Sequence, residues 1–184
     1  MPNWNYNSVE IHAPKEAVLE WLVFQPAKAD DVTTSEHHCF NMHKLFPEKI
    51  PADDPTGVES WDYDWFVDNT GSKWAPEVYL SSDDHDTELT NLSYDSARTP
   101  NNGTLQRLHE KTGWTIRNDY REEGMQFAGC FICEAEECRD EEKEYLTICE
   151  ICEQEKPEEE YDEELDGLIC NECRRKGASW KRPD

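Results

Sequence analysis

CEICEQEKPEEEYDEELDGLICNEC, residues 149–173, carries two Cys-x-x-Cys pairs, Cys149/Cys152 and Cys170/Cys173, separated by 17 residues. That separation lies within the range of a four-cysteine zinc site. Zinc takes four ligands in a tetrahedron, and thiolates at i and i+3 share one ion only where the backbone between them turns tightly. Two such turns complete the shell and leave no position for water or substrate. The expectation is a structural Zn²⁺ held by Cys149, Cys152, Cys170 and Cys173 in a small zinc-ribbon or treble-clef-like module. Iron in a rubredoxin-like site uses the same ligands and stays open as the minor alternative. A thioredoxin-like redox pair fits poorly, because no strand–helix unit surrounds either pair.

The charge of the chain is concentrated around this stretch. The 184 residues carry a net charge of −24, with a pI near 4.4. Between Glu134 and Asp166 there are 17 acidic side chains and three basic ones, a local balance of −14. A broad basic surface for nucleic-acid phosphates is therefore not expected, whereas a cationic partner is. The end of the chain reverses sign with Arg174, Arg175, Lys176, Lys181 and Arg182. Four thiolates on Zn²⁺ leave about −2 on the site, which neighbouring cations would offset. No apolar run reaches the length of a membrane span, and the N-terminus lacks a signal-peptide pattern, so the expected location is the cytoplasm. Eight cysteines in that setting suit metal binding better than a disulfide framework.

Upstream, the pattern reads as strand, helix, strands, helix, strand. Trp4–His12 is a strand by composition. Pro14 opens a helix on which Ala17, Val18, Trp21, Leu22 and Phe24 share a stripe. Residues 25–39 read as a loop with surface His37 and His38 beside Cys39. The alternation of residues 40–46 suggests a short extended segment, and that of Trp61, Tyr63 and Trp65 a half-buried strand. His85, set among Asp83, Asp84 and Asp86, reads as part of a solvated loop. Leu89–Arg98 is a further strand, Thr99–Pro100 begins a helix that stops at Gly113, and Trp114–Glu134 holds the last strands, broken at Gly124. If 128–135 is extended, Cys130 and Cys133 face opposite ways, so Cys130, Cys133 and Cys138 read as core or partly buried thiols. The alternative is a second metal site that recruits Cys39. The fold class is α+β, with a body over 1–140 and the cysteine module over 141–184.

Five stretches add a resemblance: MPNWNYNSVEI (1–11), FNMHKLFPEKIP (40–51), DNTGSKWAP (68–76), LSYDSARTP (92–100) and YREEGMQFAG (120–129). In this order they resemble the YubB ferredoxin-like domain family, also called Api-like, of plasmid, prophage and phage proteins. The resemblance covers most of residues 1–129 and departs from the family pattern at Thr70 and Ser72 and along SARTP. It implies a ferredoxin-like antiparallel sheet with two helices on one face, and residence on a mobile genetic element. It supplies no catalytic residue.

The functional expectation is a non-enzymatic accessory protein whose acidic surfaces bind a host protein with a cationic surface, with an anti-defence or DNA-mimic role as its sharpest form. Acidity serving solubility or high salt is the plainer reading. The alternative is a nucleic-acid-binding zinc finger that uses Arg174, Arg175, Lys176, Lys181 and Arg182. An enzyme is not expected, since no glycine-rich phosphate loop, nucleophile elbow or open metal triad is present.

Overall fold

The computed structural model describes residues 3–26, 37–81, 88–149, 152, 154–157 and 170–176. The chain divides into two compact units, residues 1–142 and 143–184. The first is α+β and is built on one antiparallel sheet. Along the chain run β1 (Trp4–Ile11), α1 (Lys15–Leu19), β2 (Leu22–Gln25), β3 (His37–Phe40), α2 (Met42–Leu45), α3 (Tyr63–Thr70), β4 (Glu77–Leu80), β5 (Thr90–Ala97), α4 (Asn102–Thr112), β6 (Ile116–Glu122), β7 (Phe127–Glu134) and β8 (Glu137–Lys143). Their order across the sheet is β2-β3-β4-β5-β1-β6-β7-β8.

Strict alternation fixes the register. On β1, Asn5, Asn7, Val9 and Ile11 are buried, and Trp4, Tyr6, Ser8 and Glu10 are exposed. The exposed set lies opposite Ala97, Asp95, Ser93 and Asn91 of β5, and its last three members lie opposite Arg121, Asp119 and Arg117 of β6. A slip of one residue would move every apolar side chain to the wrong face. The inward positions join Phe40, Leu45, Ile50, Phe66, Leu105 and Leu108 in a single core. Helices α3 and α4 meet closely because residue 103 is glycine; a Cβ there would fall 2.3 Å from the Asn69 carbonyl oxygen. Among the described residues, no helix is long and apolar enough to cross a membrane.

Four local expectations are corrected. Residues 63–70 are helical, because the Asp62 carboxylate accepts from Trp65 N at 3.2 Å and Gly71, at φ 79°, ends the helix. Phe66 and Thr70 are its buried positions, whereas Trp61 and Tyr63, which suggested a strand, are exposed. The segment after Phe40 likewise turns into α2, where the Asn41 side chain accepts from Lys44 N and Met42 and Leu45 are buried at i, i+3 spacing. The first helix stops at Leu19, so Leu22 and Phe24 belong to β2. His37, His38 and Cys39 lie in β3 rather than in a loop.

In the second unit, β9 (Leu146–Ile148) pairs with β10 (Glu155–Pro157), and a short helix, α5 (Asn171–Arg175), follows.

Candidate metal centre

The first cysteine pair sits in the connection of the β9–β10 hairpin. Cys149 immediately follows β9, its backbone N–H donates to Gln154 O at 3.0 Å, and Cys152 lies within the turn so closed. The second pair begins α5, with Cys170 just before the helix and Cys173 in its first turn. The Cys170 N–H donates to Cys149 Sγ at 3.3 Å, which ties the helix start to the hairpin. The Cys152 and Cys170 sulfurs are 3.9 Å apart, and all four sulfurs lie within 4.8 Å of one another. Four thiolates at about 2.3 Å from a zinc ion form a tetrahedron with an edge of about 3.8 Å. The Cys152 to Cys170 separation matches that edge. These four cysteines can hold a metal ion, and with four ligands its shell is closed.

The surroundings suit a cation at the centre. Cys149 and Cys170 are fully buried and Cys173 nearly so, and with Cys152 they form, among the described residues, a separate small core. Desolvation, followed by contacts with the other three sulfurs, pushes the Cys173 thiol up to about 12. Like charges packed this closely resist ionising, and a divalent cation removes that resistance. Lys176 stands nearby. Its ammonium is held above its ordinary value first by Glu172, 2.7 Å away, and then by the field of Cys173 and Cys152.

The other candidates are dispersed. Cys133 and Cys138 form a disulfide between β7 and β8, which corrects the reading of both as thiols and rules out their joint use in a second metal site. Across the β6–β7 register Cys133 lies opposite buried Ile116 and Cys130 opposite Asp119, so the two occupy opposite faces. Cys130 is a buried cysteine that forms no disulfide. Cys39 on β3 is five strand spacings from β7, roughly 24 Å, too far to join any of them. Burial, then Glu77, pushes the Cys39 thiol up to about 11. His38 points to the face opposite Cys39, and burial, then His37, lowers its pKa.

Of the basic set, Arg175 and Lys176 border a hollow that is also lined by Lys156 and Glu172. Glu172 lies 3.9 Å from Lys156 and 2.7 Å from Lys176, so this patch is partly neutralised. Arg174 is in α5; Lys181, Arg182, His85 with its three aspartates and the acidic run over 158–166 lie outside the described residues. Sequence reasoning missed one concave feature, where Trp4 and Trp74 meet edge to face above the exposed side of the sheet. The outward alternation of Trp4 and Tyr6 along β1 was its signal.

No family model, curated protein or solved structure matches the chain.

Proposed function

We propose that this chain is a non-enzymatic binding protein: a ferredoxin-like sheet followed by a treble-clef-like unit closed on one structural Zn²⁺, with acidic surface that engages a cationic protein of a host cell. The observation that carries this reading is the convergence of four sulfurs within 4.8 Å, with no further His, Asp or Glu in the group among the described residues. A shell completed by protein ligands has no open position for chemistry, so the metal acts as a staple. Zinc is favoured over iron because a closed tetrahedron of four cysteines in a small module is the usual shell of structural zinc.

The finer fold reading has its own support. Strands β4-β5-β1-β6, joined through α3 between β1 and β4 and through α4 between β5 and β6, follow the β-α-β-β-α-β pattern. The β2–β3 hairpin and the β7–β8 extension add to that core. A hairpin turn bearing one cysteine pair and a helix start bearing the other favour a treble clef over a ribbon made of two hairpins. Together with the five resembling stretches, this supports membership of the YubB ferredoxin-like family and an origin on a mobile element.

The acidic face has a described part. On edge strand β8, Glu137, Asp140, Glu141 and Glu142 are exposed, and Arg139 is engaged by Glu134 at 2.6 Å and Glu141 at 2.8 Å. Charge on an edge strand discourages sheet-to-sheet pairing and at the same time presents a field that steers cationic proteins.

A pull-down from host lysate with the zinc-loaded chain tests the proposal. A captured protein that elutes with rising salt, and is lost from a variant in which the carboxylates of 134–144 are amidated, supports it. Capture of nothing, or equal capture by the amidated variant, overturns it. The hollow bordered by Lys156, Arg175 and Lys176 favours nucleic-acid binding as a second reading, which a salt-sensitive gel shift abolished by Arg175→Gln would establish.

A further inference from the structure

At the end of the first unit's sheet where Trp4 begins β1 and Glu77 begins β4, the outward face holds a hollow of about 470 Å³. Its chemistry is uneven. Trp4 and Trp74 stand edge to face with centroids 6.2 Å apart, and Tyr79 and His37 complete an aromatic wall with their centroids 6.4 Å apart. Two carboxylates, Glu77 and Asp95, line the same space, and among the described residues no lysine or arginine does. The Tyr79 hydroxyl donates to Glu77 Oε2 at 3.0 Å and His37 Nε2 lies 3.8 Å from Glu77 Oε1, so this carboxylate is held in place at the wall.

We infer that this hollow receives the guanidinium of an arginine side chain presented by a partner protein. The indole face is the best aromatic surface for a cation, and a planar, weakly hydrated guanidinium can stack on it while its N–H groups reach a carboxylate. Two acids, with no lysine or arginine among the described lining residues, give the space a negative field, which an ammonium would also feel but could not match in plane. Partial burial already holds Asp95 above the ordinary carboxylate range, a cost that an incoming cation removes. Trp4 and Tyr79, both substantially exposed on this face, are the type of residue that anchors interfaces. The same strip has an internal precedent: the Arg121 guanidinium lies 5.8 Å above the Tyr6 ring, in an adjoining hollow that shares Trp4 and Asp95.

This inference rests on the cationic-partner reading and names where one such side chain enters. The acidic β8 strand could still hold a partner if the hollow did not, so the two ideas can fail separately. The test titrates the full-length, metal-loaded ¹⁵N-labelled chain with Nα-acetyl-arginine amide at low ionic strength, with the neutral citrulline analogue as control. The expected result is saturable movement of the Trp4 and Trp74 indole N–H resonances at roughly millimolar concentrations, as befits a single side chain, with citrulline at least tenfold weaker. Glu77→Gln with Asp95→Asn should cost at least tenfold, and so should Trp74→Ala, while the spectrum of the second unit stays unchanged. Equal binding of citrulline, or an unaffected carboxamide double variant, overturns the proposal. So does equal binding of the lysine analogue, which would leave only a general cation site. Movement confined to residues 134–144 overturns it while leaving the acidic-surface reading intact.

Discussion

The two units of this chain reach a folded state by different physics. Among its described residues the first gathers 20 buried ones, from Val9 to Cys133, into one core. The second spans 42 residues, and the core its described residues form is Cys149, Cys170 and Cys173 with Cys152 packed against them. Burying an aliphatic or aromatic side chain contributes about 1.5–3 kcal/mol, so the first unit has a hydrophobic driving force that the described residues of the second do not supply. A segment this short and this acidic also has chain entropy and self-repulsion to offset, which a bound metal would do. In the first unit a metal would be incidental to the fold; in the second, the proposed metal would be what holds the fold together.

Metal removal is the most forceful way to break that contrast. Structural zinc contributes about 10–16 kcal/mol in small finger domains, far more than three buried cysteines supply otherwise. Chelation, or Cys149→Ser or Cys170→Ser, should collapse the amide dispersion of residues 143–184 and leave that of residues 3–142 in place. Elemental analysis of the untreated chain should give one zinc per molecule. A second unit that keeps its dispersion without metal would show that its acidic polypeptide holds together by other means.

The converse experiment deletes apolar volume. Phe66 is 1% exposed and packs edge to face on Trp65, which in turn packs on Phe46. Phe66→Ala should lower the unfolding free energy of the first unit by about 3–5 kcal/mol, read from the denaturant midpoint. Its metal content should remain at one ion per chain. Loss of the ion on this substitution would mean that the two units do not fold independently.

The same contrast explains what could be read from the chain beforehand. The cluster of Cys149, Cys152, Cys170 and Cys173 was legible because metal geometry imposes a spacing that survives without knowledge of the fold. Strands β1, β5, β6 and β7 and helix α4 were legible because each repeats its period over seven residues or more, and Gly113 marks a stop that the structure keeps at φ 72°. Helix α3 was misread because three aromatics at alternate positions outweighed a better signal, the Asp62 cap and the Gly71 terminator on either side of an eight-residue helix. α2 is a single turn, too short for any periodicity. The Cys133–Cys138 disulfide was missed for a different reason. Pairing depends on Ala135, at φ 55°, reversing the chain so that β8 returns beside β7, and nothing local to an Ala-Glu dipeptide announces a hairpin.

That disulfide sharpens the comparison with a smaller expected effect. It closes a loop of only a few residues, so constraining the unfolded chain contributes about 2 kcal/mol. Cys133→Ala with Cys138→Ala should destabilise the first unit by that amount and leave zinc binding untouched. Mass spectrometry after alkylation of the unreduced, metal-free protein should find six reactive thiols in the original chain. Eight would mean that the hairpin is held by its strand pairing alone.

An effect of similar size, but dependent on pH, concerns a loop of the first unit that is organised by one carboxylate in place of an ion. Asp54 is 6% exposed and accepts from Val58 N at 3.1 Å, Ser60 N at 2.7 Å and Ser60 Oγ at 2.7 Å. Burial alone would raise its pKa, but the hydrogen bonds from Ser60 and Val58 outweigh burial and hold the carboxyl below its ordinary range. Protons therefore bind the unfolded chain more readily. The stabilisation is complete above the unfolded-state carboxylate pKa and is lost as pH falls through the lower folded value. Asp54→Ala should cost about 1–3 kcal/mol at neutral pH by stranding these donors. The gap between variant and parent should close towards the acid end of a pH series of denaturant midpoints. A gap that persists undiminished in acid would assign the loss to packing rather than charge, and the loop would then be ordered by the same apolar contacts as the rest of its unit.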